Sequence, residues 1–190
     1  MRSRLHAQFM ECLPFVMPSD AAWGLDEMVG DLARAREGLL AAVAPLDQAA
    51  LDRRGGSGWS PGMVLDHLVR SEAGAVKVIA KLVREAPVTD PIALPDQRHR
   101  LDFAHLDDRT QTNEAPAVTL PTASRLRDDL LRDLARSRIA LLDLVRKMRP
   151  LDLRDRTVPH PILGPLDAYQ WLLFVAQHEA RHTQQILEAT

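Results

Sequence analysis

The sequence predicts an all-α protein, and two observations carry that prediction. Four long segments repeat their apolar residues every three to four positions, which is the period of a helix with one buried face. None of these segments shows the sustained alternation of apolar and polar residues that is typical of a half-buried strand. The length of 190 residues fits one domain with a single core.

The first predicted helix begins at Ser19 or Asp20, because both residue types are good N-caps, and it ends near Pro45. Residues 1–18 then form an N-terminal extension, and residues 19–190 form the helical domain. The predicted buried face of this helix consists of Trp23, Met28, Leu32, Leu39 and Val43.

The second predicted helix begins at Pro61, with Ser60 as its N-cap, and runs to about Glu85. Proline suits the first helical position because its missing N–H would have no helical partner there. The inward stripe follows spacings of three and four and consists of Val64, His67, Ser71, Ala75, Val78 and Leu82.

A link of 35 residues, 87–121, separates the second and third helices and contains five prolines. A connection of this length is unusual inside a compact domain and is typical of a crossover, a lid or a short extra helix. A helix of about 26 residues is about 39 Å long, so the link can run the length of a helical bundle. The second and third helices can therefore lie parallel.

The third predicted helix begins at Thr122 or Ser124 and runs to Met148, where Pro150 stops it. The charged run 125–138 within it is typical of a solvated helix face. The residues expected to point inward are Leu126, Leu130, Leu134, Leu141, Val145 and Met148. The fourth helix follows Gly164 and Pro165, with Asp167 as its N-cap, and continues to the end of the sequence.

Composition excludes several classes of protein. The chain has 24 Lys and Arg against 26 Asp and Glu, so it lacks the positive excess that binding to a nucleic-acid backbone usually needs. Its apolar runs are shorter than the roughly 20 residues of a membrane span, and polar residues interrupt any signal-peptide core. The single cysteine, Cys12, forms neither an internal disulfide nor a four-thiolate metal site. These features predict a cytoplasmic protein without nucleic-acid or membrane partners.

The fourth helix carries the segment that points to chemistry. His178 and His182 are four residues apart, so both side chains lie on one helix face and can bind one ion. With Glu179 they match the H-E-x-x-H pattern of zinc proteases, which makes Glu179 a candidate general base. Those enzymes take their third ligand from downstream, whereas eight residues follow His182 here. A third ligand is therefore expected from an earlier helix.

His67 is the expected third member of this site. The seam of the fourth helix follows spacings of four, three, four and three, and contains Trp171, Val175, His178, His182 and Gln185. Inward imidazoles need partners, because an unpaired buried polar group costs about 1–3 kcal/mol. His67 lies about 10 Å from the start of the second helix, and His182 and His178 lie about 12 and 18 Å from the end of the fourth. Antiparallel helices bring the three side chains to similar heights.

Two interpretations of the three histidines remain open at this point. They form either a hydrogen-bonded polar seam or a metal site whose neutral imidazoles suit zinc, nickel, copper or iron. Three protein ligands leave a position for water or a thiolate, as in catalytic sites. His160, just before the fourth helix, either lines the site or caps that helix. No role is assigned to His6, His99 or His105.

Three segments together give the sequence a family resemblance. They are residues 58–68 (GWSPGMVLDHL), 160–166 (HPILGPL) and 178–186 (HEARHTQQI). They resemble signature segments of the DinB/YfiT-like superfamily of metalloenzymes, and the resemblance extends from about Asp20 to the C-terminus. It implies a four-helix bundle of up-down-down-up topology with a long link between helices two and three. It also implies one divalent transition metal, usually zinc or nickel, held by His67, His178 and His182.

The resemblance further implies a homodimer that acts on a small molecule, in some members a low-molecular-weight thiol. The leading hypothesis is a metal-dependent hydrolase or thiol S-transferase, in which the ion activates water or a thiol for attack on a small electrophile. The alternative is a non-catalytic, metal-containing stress or interaction protein of the same fold. A third hypothesis is a metal-free helical dimer.

Overall fold

Four long helices, as the sequence predicts, and one short helix make up most of the described chain. The computed structural model describes residues 23–55, 58–86, 99–102, 115–121 and 125–190. The helices are α1 (Leu25–Val43), α2 (Gln48–Asp52), α3 (Pro61–Glu85), α4 (Arg127–Met148) and α5 (Ala168–Ala189), with a 3-10 turn at Ala117–Thr119. Two short strands, β1 (Val158–His160) and β2 (Gly164–Leu166), form an antiparallel hairpin between α4 and α5.

Contacts between helix ends fix the direction of each long helix. Trp23, just before α1, exchanges two backbone hydrogen bonds of 2.9 Å with His99, whose ring stacks on Tyr169 at the start of α5. The starts of α1 and α5 are therefore at the same end, and the two helices are parallel. Asp66, early in α3, is paired with Arg125, which precedes α4, so α3 and α4 are also parallel.

The up-down-down-up topology follows from one further contact. His67 lies in the first turns of α3, and its ring centroid is 4.8 Å from that of His182, near the end of α5. Helices α3 and α5 are therefore antiparallel. Since α1 packs on α5, and α3 packs on both α4 and α5, the four long helices form the expected bundle. The core predicted for α1 is correct, because all five residues of its expected face are buried.

Helices α3 and α5 begin where the sequence predicts. The Ser60 hydroxyl accepts a hydrogen bond from the Met63 backbone N–H at 3.2 Å, and Pro61 is the first helical residue. The Asp167 carboxylate accepts from the Gln170 backbone N–H at 2.8 Å, and the Gln170 side chain accepts from the Asp167 N–H. Both caps satisfy amide groups that have no partner inside the helix.

The predicted starts of the other two long helices are wrong. Helix α1 begins at Leu25, after Gly24, because Trp23 is held in an extended bridge with His99. Helix α4 begins at Arg127, and Leu126, expected to point inward, is 66% exposed as its N-cap. The proposed caps Ser19, Asp20, Thr122 and Ser124 lie outside the described residues, as do the extension 1–18, Cys12, His6 and His105.

Two short features were not predicted. Helix α2 has five residues, capped by Asp47, whose carboxylate accepts from the Ala50 N–H at 2.8 Å. The hairpin strands have three residues each, too few for an alternating pattern to be recognised. The turn of the β1–β2 hairpin ends at Gly164, whose φ of +75° lies in the left-handed region that favours glycine. In the described ranges, no helix has the length and apolar character needed to cross a membrane.

Candidate metal centre

The three histidines singled out in the sequence meet between α3 and α5. Their candidate ligand atoms all lie within 4.8 Å of one another. The Nε2 atoms of His67 and His178 are 3.2 Å apart, and the ring centroids of His178 and His182 are 4.5 Å apart. His67 is buried, whereas His178 and His182 are half-buried, so one side of the group approaches the protein surface.

The spacing of these nitrogens fits a bound cation. Two imidazoles that bind zinc tetrahedrally at about 2.0–2.1 Å have their nitrogens about 3.3 Å apart. The His67 and His178 Nε2 atoms lie 3.2 Å apart, a distance that fits both a shared ion and a hydrogen bond between the two rings. The candidate ligand atoms of the three histidines lie up to 4.8 Å from one another. A small inward movement of the side chains would bring all three within binding distance of one ion. Nitrogen donors of this kind suit late transition metals.

In two of the three histidines, an oxygen acceptor contacts Nδ1 and orients the ring. Nδ1 of His67 donates to the Thr119 carbonyl at 2.8 Å, and Nδ1 of His182 donates to Oε1 of Gln185 at 2.7 Å. A carbonyl oxygen only accepts, so each Nδ1 carries the proton and each Nε2 of the neutral ring carries a lone pair. Metal-binding histidines are commonly oriented by such an outer hydrogen bond.

Burial keeps the imidazoles of His67 and His178 neutral near pH 7. It lowers the pKa of His67 from its usual 6.5, although the hydrogen bond to Thr119 and the charge of Asp66 act in the opposite direction. Burial also holds the pKa of His178 well below the usual value, and repulsion from His182 and His67 lowers it further. A neutral imidazole is the form that binds a metal, so no proton needs to leave these two rings first.

His160 lies near the site but not in it. Its Nδ1 accepts hydrogen bonds from the backbone N–H groups of Ile162 and Leu163, each at 3.2 Å. It therefore fastens the β1–β2 turn and does not cap α5, whose cap is Asp167. Its ring packs on Phe174, 4.4 Å between centroids, and Phe174 in turn lies 4.9 Å from the His178 ring. Burial lowers the pKa of His160 to about 4.

A small cleft opens beside the histidines. Ser71 faces it one helical turn after His67, with Oγ 3.5 Å from the His67 Nε2. The Trp59 ring lies on His67, at 5.1 Å between centroids. The cleft is lined by Leu68, Ser71, Glu72, Phe174, Val175, His178 and Glu179. Three lining residues are therefore apolar, and the other four supply the Ser71 hydroxyl, the His178 imidazole and two carboxylates.

Both carboxylates of this cleft belong to an ion-pair ring that contains one residue from each long helix. Arg36 of α1 contacts Glu72 of α3 at 2.6 Å and Glu179 of α5 at 2.5 Å. Arg138 of α4 contacts the same two carboxylates at 2.7 and 2.6 Å. Although burial lowers the pKa of Arg138, the charges of Glu179 and Glu72 raise it overall. The ring, defined here as Arg36, Glu72, Arg138 and Glu179, joins all four helices.

The candidate base Glu179 is a member of this ion-pair ring. Its side chain is 3% exposed, and each of its oxygens accepts from a different guanidinium group. The structure therefore gives Glu179 two structural partners, and its role in proton transfer stays a prediction. The expected solvated face at 125–138 is wrong for Arg138, which is buried. The missed signal is its position in the apolar stripe, four residues after Leu134 and three before Leu141.

Comparison with known proteins agrees with this architecture. The uncharacterized protein YuaE of Bacillus subtilis (strain 168) is 30% identical over 131 residues, which is 68% of this chain and 76% of YuaE. A solved structure described as TT2238, a four-helix bundle protein, is similar with a TM-score of 0.58 and 27% identity. That similarity covers 87% of this chain and 99% of the other. The family model of the DinB superfamily matches residues 31–186, most of the chain, and the chain therefore belongs to the DinB superfamily.

Proposed function

We propose that this protein is a metal-dependent enzyme of the hydrolase or thiol S-transferase type. His67, His178 and His182 would hold a divalent ion, which would supply the activation of water or a thiol for attack on a small electrophile. The observation that carries the proposal is the convergence of three imidazoles, two of which are oriented by an oxygen acceptor on Nδ1.

Three protein ligands leave an open coordination position, which is typical of catalytic sites and not of structural ones. The chemistry that such an ion supplies is Lewis acidity, which makes water or a thiol a better nucleophile at neutral pH. The protein's own part is to hold the ligands, to limit water with the apolar walls Leu68, Phe174 and Val175, and to offer the Ser71 hydroxyl to the reactants.

The proposal includes the identity of the ion and the partners. Imidazole ligands suit zinc and nickel, and we propose one of these. The substrate is a small molecule, and in the transferase form a low-molecular-weight thiol that arrives with it. A homodimer in the cytoplasm is part of the same proposal. The net charge of -2 supports the absence of a nucleic-acid partner.

A purely structural ion is less well supported by the packing. An ion on the three histidines joins only α3 and α5, whereas the ion-pair ring already joins all four long helices. The alternative is a non-catalytic metal-containing stress or interaction protein. It requires the ion to stabilise a bundle whose helices the ion-pair ring already connects.

Metal content distinguishes these functions. Untagged protein purified without added metal should hold about one ion per chain, and His67→Ala should lose it. His160→Asn is the matched control: its side-chain oxygen can still accept from the hairpin N–H groups, so metal content should not change. Equal metal in the wild type and His67→Ala would refute the site. Unfolding of the wild type on metal removal would support the structural alternative.

A further inference from the structure

Gln185 does more than fill the seam of α5. Its Oε1 accepts from the Nδ1 of His182 at 2.7 Å, and the two residues are three apart on one helix. The helix itself therefore brings donor and acceptor together. By contrast, the outer partner of His67 is the Thr119 carbonyl, which comes from the link 52 residues away.

The amide of Gln185 matters because it is neutral. The Thr119 carbonyl is also neutral, and the carboxylates Glu72, Glu179 and Asp66 are all paired with arginines. The contacts described around the histidines therefore compensate little of the charge of a divalent cation. A cation with such an environment keeps a strong attraction for an anion at its open position.

We propose that Gln185 is a positioning residue that fixes the His182 tautomer for metal binding without adding negative charge, which leaves the ion able to hold an anionic ligand. This inference rests on the proposed function. It predicts that an acceptor at position 185 is required for metal affinity, and that the charge of this acceptor sets affinity for the anion.

The test uses four full-length proteins: wild type, Gln185→Leu, Gln185→Glu and Gln184→Leu. Gln184 is the matched control, since it is half-buried on the same turn but rotated by about 100° around the helix. Three quantities are measured: the His182 tautomer in metal-free protein by ¹⁵N chemical shifts, Co²⁺ affinity by competition with a chelator, and azide affinity of the Co²⁺-loaded protein by visible absorption.

Gln185→Leu should lose the preference for a proton on Nδ1 and bind Co²⁺ about 10- to 100-fold more weakly. Gln185→Glu should keep the tautomer and bind Co²⁺ at least as tightly as the wild type. Its added charge should weaken azide binding by about threefold to tenfold. Gln184→Leu should match the wild type in all three quantities.

Retention of wild-type tautomer and Co²⁺ affinity in Gln185→Leu would overturn the inference, as would equal losses in Gln185→Leu and Gln185→Glu. An equal loss in Gln184→Leu would show a general effect on the helix and would also overturn it. Failure of the wild type to bind Co²⁺ would overturn the proposed function. The tautomer measurement separates the two failures, since it needs no metal.

Discussion

Arg36 and Arg138 reach across the bundle in opposite directions and make matching contacts. Arg36 of α1 donates to the Leu134 carbonyl, four residues before Arg138, and Arg138 of α4 donates to the Leu32 carbonyl, four residues before Arg36. Each also contacts both Glu72 and Glu179. The two guanidinium groups therefore link the backbones of α1 and α4 through a buried, charge-balanced ring.

The first prediction concerns removal of one member of this ring. Arg138→Met leaves two buried carboxylates with one arginine, and breaking a buried pair in this way costs about 3–5 kcal/mol of unfolding free energy. Urea unfolding measures the loss. Arg136→Met is the control: Arg136 is exposed and its pair with Asp133 is 3.6 Å long, so its loss should stay within about 0.5 kcal/mol.

The ring should confer specificity of packing more than net stability. Replacement of all four members by Met or Leu removes every buried charge together, and such replacements are often neutral or stabilising by about 1–4 kcal/mol. We therefore expect the fourfold variant to be more stable than Arg138→Met. A cost below about 1 kcal/mol for Arg138→Met alone would contradict the picture of a buried, mutually dependent ring.

The second prediction concerns linkage between metal and stability. Because the helices bury an extensive apolar core without any ion, the metal-free protein should keep its helical circular dichroism. Zinc or nickel at 100 times its dissociation constant should add about 2.7 kcal/mol to the unfolding free energy. His182→Ala should unfold with the same free energy with and without the metal. A wild-type curve that does not move with metal concentration would argue against the site.

The third prediction tests the two helix caps that the sequence identified. Ser60→Ala and Asp167→Ala should each lower the unfolding free energy by about 0.5–2 kcal/mol, because each leaves a first-turn amide of α3 or α5 without its side-chain acceptor. Ser60→Asp should recover most of the loss in α3. Equal stability of Ser60→Ala and the wild type would show that another group satisfies the Met63 N–H.

The histidine group was predictable from sequence, because helical periodicity encodes which side chains face inward. His67, His178 and His182 stand at seam positions, and an antiparallel arrangement of their helices sets their depth. The outer partner Thr119 was not predictable. It acts through a backbone carbonyl, a group that every residue carries, and the path of the link alone decides which carbonyl reaches the site.

The ion-pair ring escaped prediction for a different reason. Arginine and glutamate are mostly exposed on helices, so charged residues such as Arg36 and Arg138 are ordinarily placed on the solvated face. The burial of Arg138 and the partial burial of Arg36 depend on four residues from four helices compensating one another. The sequence of one helix cannot show this compensation between helices. A charged residue within an apolar stripe is the sequence feature that indicates it.

The last prediction concerns acid stability and rests on His99. Its ring is buried against Tyr169, 3.8 Å between centroids, and within the described ranges its Nε2 has no hydrogen-bond partner. Burial, with repulsion from Arg154 as the next cause, lowers the pKa of His99 to about 4. The unfolded chain takes up this proton at about pH 6.5 and the folded chain only at about pH 4. Acid therefore favours unfolding. The contribution of neutral His99 to the unfolding free energy is complete above pH 6.5 and is lost as the pH falls from 6.5 to 4.

His99→Phe should keep the stacking on Tyr169 and remove the titration. The wild type should lose up to about 1.4 kcal/mol of unfolding free energy per pH unit from this residue between pH 6.5 and 4, on top of other groups. The variant should lose less by that amount and should be at least as stable at pH 7, because the unsatisfied buried nitrogen is gone. Urea unfolding of metal-free protein at pH 7, 6, 5 and 4.5 measures the difference. Parallel stability curves for the two proteins would show that His99 is protonated equally in the folded and unfolded chains.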